Sequence, residues 1–365
     1  MHRIIISVLL AVTALLMPKE LIGQQFLWDV DLKFGFDNRE YASLTTSPSG
    51  TIFGAMLSPK VGLGFGDGHA VYAGVDATRY FGKSAPALMF DYLLYYQYDG
   101  ERFKVNAGAF PRKRMRGYYP EAFFDERYFF DGSLEGVLLS YAGKWWRVEG
   151  VVDWIGCVDE ETREQFSVYS YGRFGTTWLN LSYSFMMTHY AGSNTVGGVV
   201  DNIWLYPHLA SDVSEFMPER MNLTMRAGWM QTFQNDRIRE QGYTLPGGFQ
   251  GEISLGYYGF GVRNTLYAGA NLMPFYHESD IAGNIYGGNL YYGDVFYSTD
   301  SGIYNRLEIS YKYDFKDFLS LKVASVHHYD GYGWGWQQLV QLVVNLNNFQ
   351  FPVKSKAYNQ HHHHR

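Results

Sequence analysis

Four cations fall within five positions at Arg112, Lys113, Arg114 and Arg116, the densest charge in the chain. Held in a neck of low dielectric, such side chains concentrate anions, because a charged cleft focuses the field; on a solvated rim they would touch lipid phosphates instead. Acids follow at Glu121, Asp125, Glu126 and Asp131, so a loop folded inward would set charge against charge. Nucleophile and base material is sparse: His189 stands near Ser193, and His327-His328 precede Asp330. Neither forms a recognised pattern, and strand-end histidines in an aromatic rim serve as hydrogen-bonded girdle residues, so no catalytic residue is assigned and no enzyme is expected. Asp201-Asn202 beside Gly197-Gly198 would suit a Ca²⁺ or sugar contact, but is equally ordinary turn chemistry. The single cysteine, Cys157, makes neither an internal disulfide nor a metal cluster. Phosphate loops, Cys/His metal spacings and dinucleotide fingerprints are absent, and no metal or cofactor is expected.

The elements that would carry these residues are strands. From Ile303 to Phe315 the side chains alternate, with Ile303, Leu307, Ile309, Tyr311 and Phe315 on one side and Arg306, Glu308, Ser310, Lys312 and Asp314 on the other. That two-residue period belongs to a pleated strand, and Asn305 is the one polar intruder on the apolar side. The grammar recurs. Asp29, Asp31 and Lys33 alternate with Trp28, Val30 and Leu32; Lys104 with Phe103 and Val105; Arg147, Glu149 and Asp153 with Trp146, Val148 and Trp154; Arg226 with Met225; Glu252 with Ile253. No amphipathic helix follows to cover the apolar faces, so lipid is the economical partner. Together these charges are the candidate lining of a lumen, paired along strands at i and i+2, ~6.6 Å apart.

Residues 1–23 read as a secretory signal peptide: Arg3, an apolar run from Ile4 to Met17, and Gly23 at the expected cleavage point. Residues 24–351 read as one domain, and 352–365, ending in His361 to His364, as a disordered or tag-derived tail. Aromatics reach 18% and charged residues only 18%, a balance that suits girdles at two membrane interfaces. A net charge of −6 excludes a general nucleic-acid binder. Tight Gly- and Asp-rich turns alternate with longer connections at 37–50, 111–133, 156–163, 188–197, 233–247 and 274–301, provided that Val199 to Ser211 is admitted as a strand despite Pro207. The parity then gives about 16 antiparallel strands, with 14 as the fallback.

Signal peptide, alternation, loop parity and an aromatic close at Phe349-Gln350-Phe351 together resemble a Gram-negative outer-membrane β-barrel of the porin type, over about residues 26–351. The resemblance implies an all-β transmembrane barrel in the outer membrane with both termini periplasmic, in contact with lipid and lipopolysaccharide. It carries over no site residues. The expected function is passive diffusion of small hydrophilic solutes with an anion preference, through a lumen kept wet by its width. Arg112, Lys113, Arg114, Arg116, Glu121 and Asp125 are the candidate constriction. The alternatives are an accessory barrel that binds a partner protein, a glycan or a second copy through aromatic loops at 188–198 and 274–301, and, behind it, an outer-membrane hydrolase.

Overall fold

Each run of alternating residues becomes a strand in the computed structural model, which describes residues 24–41, 49–82, 88–160, 162–239, 242–280 and 282–348. The strands are β1 (Gln24–Glu40), β2 (Gly50–Phe65), β3 (His69–Tyr80), β4 (Leu88–Asp99), β5 (Phe103–Pro111), β6 (Ser133–Ala142), β7 (Trp146–Gly156) and β8 (Gln165–Gly175). They continue as β9 (Asn180–Tyr190), β10 (Val200–Asp212), β11 (Met221–Asp236), β12 (Gly247–Tyr257), β13 (Phe260–Gly269), β14 (Ile303–Phe315), β15 (Leu319–Tyr329) and β16 (Trp334–Asn347). Each pairs antiparallel with its sequence neighbours, and β1 pairs with β16 from Asp29↔Asn347 to Glu40↔Trp336, closing the barrel. Closure leaves no open edge, as a spanning sheet requires where no water can satisfy the backbone. The expected signal peptide and the Phe349 to Phe351 close lie outside the described residues.

Turn chemistry explains the short connections. Between β12 and β13 only Tyr258 and Gly259 intervene, with φ of 50° and 88°, the mirror-image turn whose twist matches a hairpin. The strand at Val200–Asp212 exists in spite of Pro207. That residue faces Tyr183 on β9, while the ladder to β11 skips from Leu205↔Gln231 to His208↔Gly228. Proline has no N–H to give, and the ladder yields at that point.

The outer face is apolar, with Trp146, Trp154, Leu181, Ile309 and Tyr311 exposed. Inside, the expectation of a wide water-filled lumen is corrected. Wall side chains do not fill it, but two long connections at 112–132 and 270–302 fold in and do so. Phe123, Leu272, Met273, Leu290, Tyr291, Phe296 and Tyr297 are fully buried against Trp204, Tyr206, Tyr267 and Tyr304 of the wall. The aromatic loop read as a glycan platform therefore lies largely in the interior, because its rings bury more area there than a rim would allow. A cavity of about 360 Å³ remains between these loops and the Thr78, Tyr80 and Asp91 side of the wall.

Candidate functional site

On the outer face, one of several patches that break the apolar pattern spans β15, β16, β1 and β2. Ser325 of β15, Gln338 of β16, Asn38 of β1 and Thr51 of β2 stand directly opposite one another across four strands. Asn38 Nδ2 donates to Gln338 Oε1 at 2.6 Å and to Glu40 Oε1 at 3.1 Å, and Thr51 Oγ1 donates to Asn38 Oδ1 at 2.8 Å. One row nearer the long-connection end, His327 faces Trp336, which faces Glu40. His327 and Ser325 are two apart on one strand and so share a face; His327 Nε2 lies 3.2 Å from Ser325 Oγ. Toward the short turns the same face holds only apolar side chains near the row: Leu321 and Val323, Val340 and Leu342, Phe34 and Phe36. The polar row is thus the upper edge of an apolar belt, flanked by exposed Trp334 and Trp336. Behind it Ala324, Val326 and Leu339 pack into a small buried cluster that fixes the strands. A hydroxyl within hydrogen-bond reach of an imidazole is a nucleophile and base pair, and here it meets whatever lies against the wall.

The other sequence candidates part company. His189 faces outward, stacks on Phe166, and has Nδ1 3.4 Å from Asp201, while Ser193 bonds within its own loop to Thr195. His328 points inward, 2.8 Å from Tyr304 Oη and 3.3 Å from Tyr41 Oη. Asp330 accepts from the Tyr332 and Gly333 amides in the turn. The Asp201-Asn202 pair is committed as well: Asp201 accepts from Arg237 at 2.8 Å, and Asn202 Nδ2 donates to Leu290 O. Among the described residues no group of acids, histidines and cysteines is arranged to hold a metal ion.

The loop at 112–132 crosses the lumen and is pinned around it. Arg112 pairs with Asp131 at 2.7 Å and lies 3.6 Å from Asp153; Lys113 reaches Asp31 at 2.5 Å and Asp29 at 3.5 Å; Arg114 reaches Asp99 at 2.5 Å. Further along, Glu121 meets Arg263 at 2.5 Å and Asp125 meets Arg39 at 3.5 Å. Arg116 alone of the four cations has no carboxylate partner among the described residues, offering its backbone N–H to Glu149 instead. Burial pulls the Arg112 guanidinium down, but Asp131 and Asp153 outweigh it and hold its pKa above the usual value.

The expected pairing along each strand is corrected in part. Arg147 does meet Glu149 at 3.2 Å and Arg306 meets Glu308 at 3.0 Å. Lys33, however, donates to Phe129 O at 3.0 Å, while Asp29 and Asp31 take Lys60 and Lys113. Lys312 pairs with Asp314 and not Glu308, which takes Arg263 and Lys322; Arg226 pairs with Glu252; Lys104 lies 3.8 Å from Asp99. Partners across strands and on the loop were invisible to a reading taken one strand at a time.

A family model described as lipid A 3'-O-deacylase-type matches residues 29–350. The chain belongs to that family. This overturns the reading that it is not an enzyme: the lipid A 3'-O-deacylase-type family is a family of enzymes, and the Ser325 and His327 pair went unseen because it needs no loop motif, only one strand's outer face. No curated protein matches the chain. Among solved structures, Pseudomonas aeruginosa OpdL has a TM-score of 0.52 at 10% identity, covering 89% of this chain and 98% of its own. Pseudomonas aeruginosa OprD has 0.52 at 10%, covering 88% and 95%, and OccK5 (OpdH) of the same organism 0.52 at 9%, covering 88% and 98%. At these identities the likeness is one of fold, and the fold is the porin-type barrel that the sequence resembles.

Proposed function

We propose that this lipid A 3'-O-deacylase-type protein hydrolyses an acyl ester of a membrane lipid lying against its outer wall. The observation that carries the reading is the Ser325 and His327 pair at the top of the apolar belt. A lipid's ester groups sit where headgroups meet hydrocarbon, ~15 Å from the bilayer centre, and the polar row with its flanking tryptophans fits that level. The acyl chain would lie along Val340 and Leu342. His327 Nε2 takes the Ser325 proton as Oγ attacks the acyl carbonyl; the C–O bond to the sugar then breaks, and His327 returns the proton to the leaving hydroxyl. Water, deprotonated by His327, then attacks the acyl carbon; the bond to Ser325 Oγ breaks, His327 returns the proton to that oxygen, and the fatty acid is released. Gln338 supplies the donor for the oxyanion: its Oε1 is held by Asn38, which leaves Nε2 free beside Ser325. The family name supports the 3'-O-linked chain of lipid A as substrate and the outer membrane as location; loop parity supports an orientation with the short turns and both termini on the periplasmic side. Purified protein in lipid A–detergent micelles should release fatty acid, and Ser325→Ala or His327→Ala should slow release by roughly 10³-fold or more. A parent-like rate in Ser325→Ala, read by mass spectrometry of the lipid, would overturn the assignment.

A second reading, passage of small hydrophilic solutes, is supported by the cavity beside the inner loops and by the charged lumen wall at the short-turn end. The constriction would be the pinned loop, with Arg112, Lys113, Arg114, Glu121 and Asp125 already neutralised in pairs. Any anion preference would then rest on cations left over.

A further inference from the structure

Arg147 of β7 and Arg173 of β8 stand directly opposite each other on the inner face near the short-turn end of the barrel. Like charges so placed repel, with Cβ atoms only ~5 Å apart. One row further in, Glu149 faces Tyr171, and the crossing loop lies over this row: the Gly117 Cα is so close to Tyr171 that an added Cβ would come within 2.5 Å of its Cβ. That contact sets the backbone of Arg116 over the same row, with its side chain exposed and without a carboxylate partner among the described residues. Two facing guanidinium groups, with the Arg116 backbone beside them, therefore have one carboxylate a row away, and it pairs with Arg147 alone. Glu149 is already fully used, accepting from the Arg116 and Gly117 amides at 2.9 Å each, from Arg147 at 3.2 Å and from Tyr119 Oη at 3.4 Å. Arg173 has no hydrogen-bond or ion-pair partner among the described residues, and the Nε atoms of both Arg147 and Arg173 are shielded from solvent with nothing to donate to. Buried donors left without acceptors are costly, and a guanidinium fork is shaped for planar or tetrahedral oxyanions.

We infer that Arg116, Arg147 and Arg173 form a binding site for a small oxyanion, of phosphate or carboxylate type, inside the short-turn mouth of the barrel. Ser182, opposite Arg173 on β9, spends its hydroxyl proton on Asn180 and leaves the site to the arginines. The bound anion would relieve the repulsion between the facing arginines, both of which remain partly exposed to the lumen. The site lies on the inner face of β7 and β8, whereas Ser325 lies on the outer face of β15 across the barrel, so the two stand or fall separately.

Inorganic phosphate and citrate, titrated calorimetrically into the folded, detergent-solubilised protein, would test it. Saturable binding of at least one is expected, weakened roughly tenfold by Arg173→Gln and less by Arg173→Lys, since a charge-assisted bond is lost in the first and kept in part in the second. Raising the salt to 1 M, where the Debye length is ~3 Å, should weaken it further. Ser325→Ala should bind like the parent. No saturable binding of either anion, or equal binding by the parent and a correctly folded Arg173→Gln, would overturn the inference; a heat-modifiable band shift on electrophoresis identifies the folded barrel for each variant.

Discussion

Gln338 is the residue whose role separates a hydrolase from a merely polar patch. If its Nε2 stabilises the oxyanion, Gln338→Leu should lower kcat by about 10²–10³-fold with KM little changed, as read from initial rates over a range of lipid in micelles of fixed composition. A parallel rise in KM with kcat intact would place Gln338 in binding and leave the oxyanion without a donor. Little of this was legible beforehand. Ser325 and His327 are two residues apart in a chain full of that spacing, and nothing local marks them off. Gln338 and Asn38 join them only through the register between β15, β16 and β1, which is a property of the closed sheet.

Among the elements, the strands were the legible part. Alternation placed Ile303–Phe315 to the residue, and loop parity found β10 despite its proline. The two inner loops were harder, because a run such as Tyr286 to Tyr297 with its glycines suits a sugar platform as well as a buried plug. Its destination depends on partners two or more strands away, such as Gln234, which accepts from Tyr291 Oη, and Asp236, which accepts from Tyr286 Oη at 2.7 Å. Asp280 ties the start of the second loop: it accepts from the Ala282 amide at 2.8 Å, from the Asn284 amide and side chain at 2.9 Å each, and from Arg163. Burial alone would raise its pKa, but these bonds outweigh burial and hold the carboxyl below the usual range. A depressed pKa stabilises the folded loop above the ordinary carboxylate pKa of ~3.9, and that support is lost as the pH falls through the lowered value. Hydrogen exchange of amides 282–286 should therefore accelerate, after correction for intrinsic rates, between pH 5 and the most acidic pH at which the barrel persists, on the order of pH 2. Asp280→Asn should remove most of that dependence.

For the whole molecule, lipid is the solvent of the outer face, and the barrel should report it. An arginine at outward Leu181, second in β9 beside a short turn, should cost about 1 kcal/mol, because the midplane penalty of ~2–4 kcal/mol falls toward the interface. The fair inward comparison is Thr224→Arg, which would stand opposite Asp212. Ser182 is unsuitable because it is buried, bonded to Asn180 at 2.7 Å and opposite Arg173. Urea titrations in lipid vesicles that gave equal losses at 181 and 224 would contradict the outward assignment. The size of the lumen was readable from the strand count, whereas its filling was not, since the sequence does not say which way a long loop turns at the rim.

The seam between β1 and β16 runs through the polar row: Asn38 belongs to the first strand of the barrel and Gln338 to the last, and they meet through a 2.6 Å hydrogen bond. Until the two ends of the chain find each other, Gln338 has no neighbour to aim its amide. A polypeptide in transit to the membrane, or half inserted among lipids it should not degrade, would carry the serine and the histidine but not the finished pocket. On the proposed function, closing the cylinder would be the step that sets the oxyanion donor beside the serine.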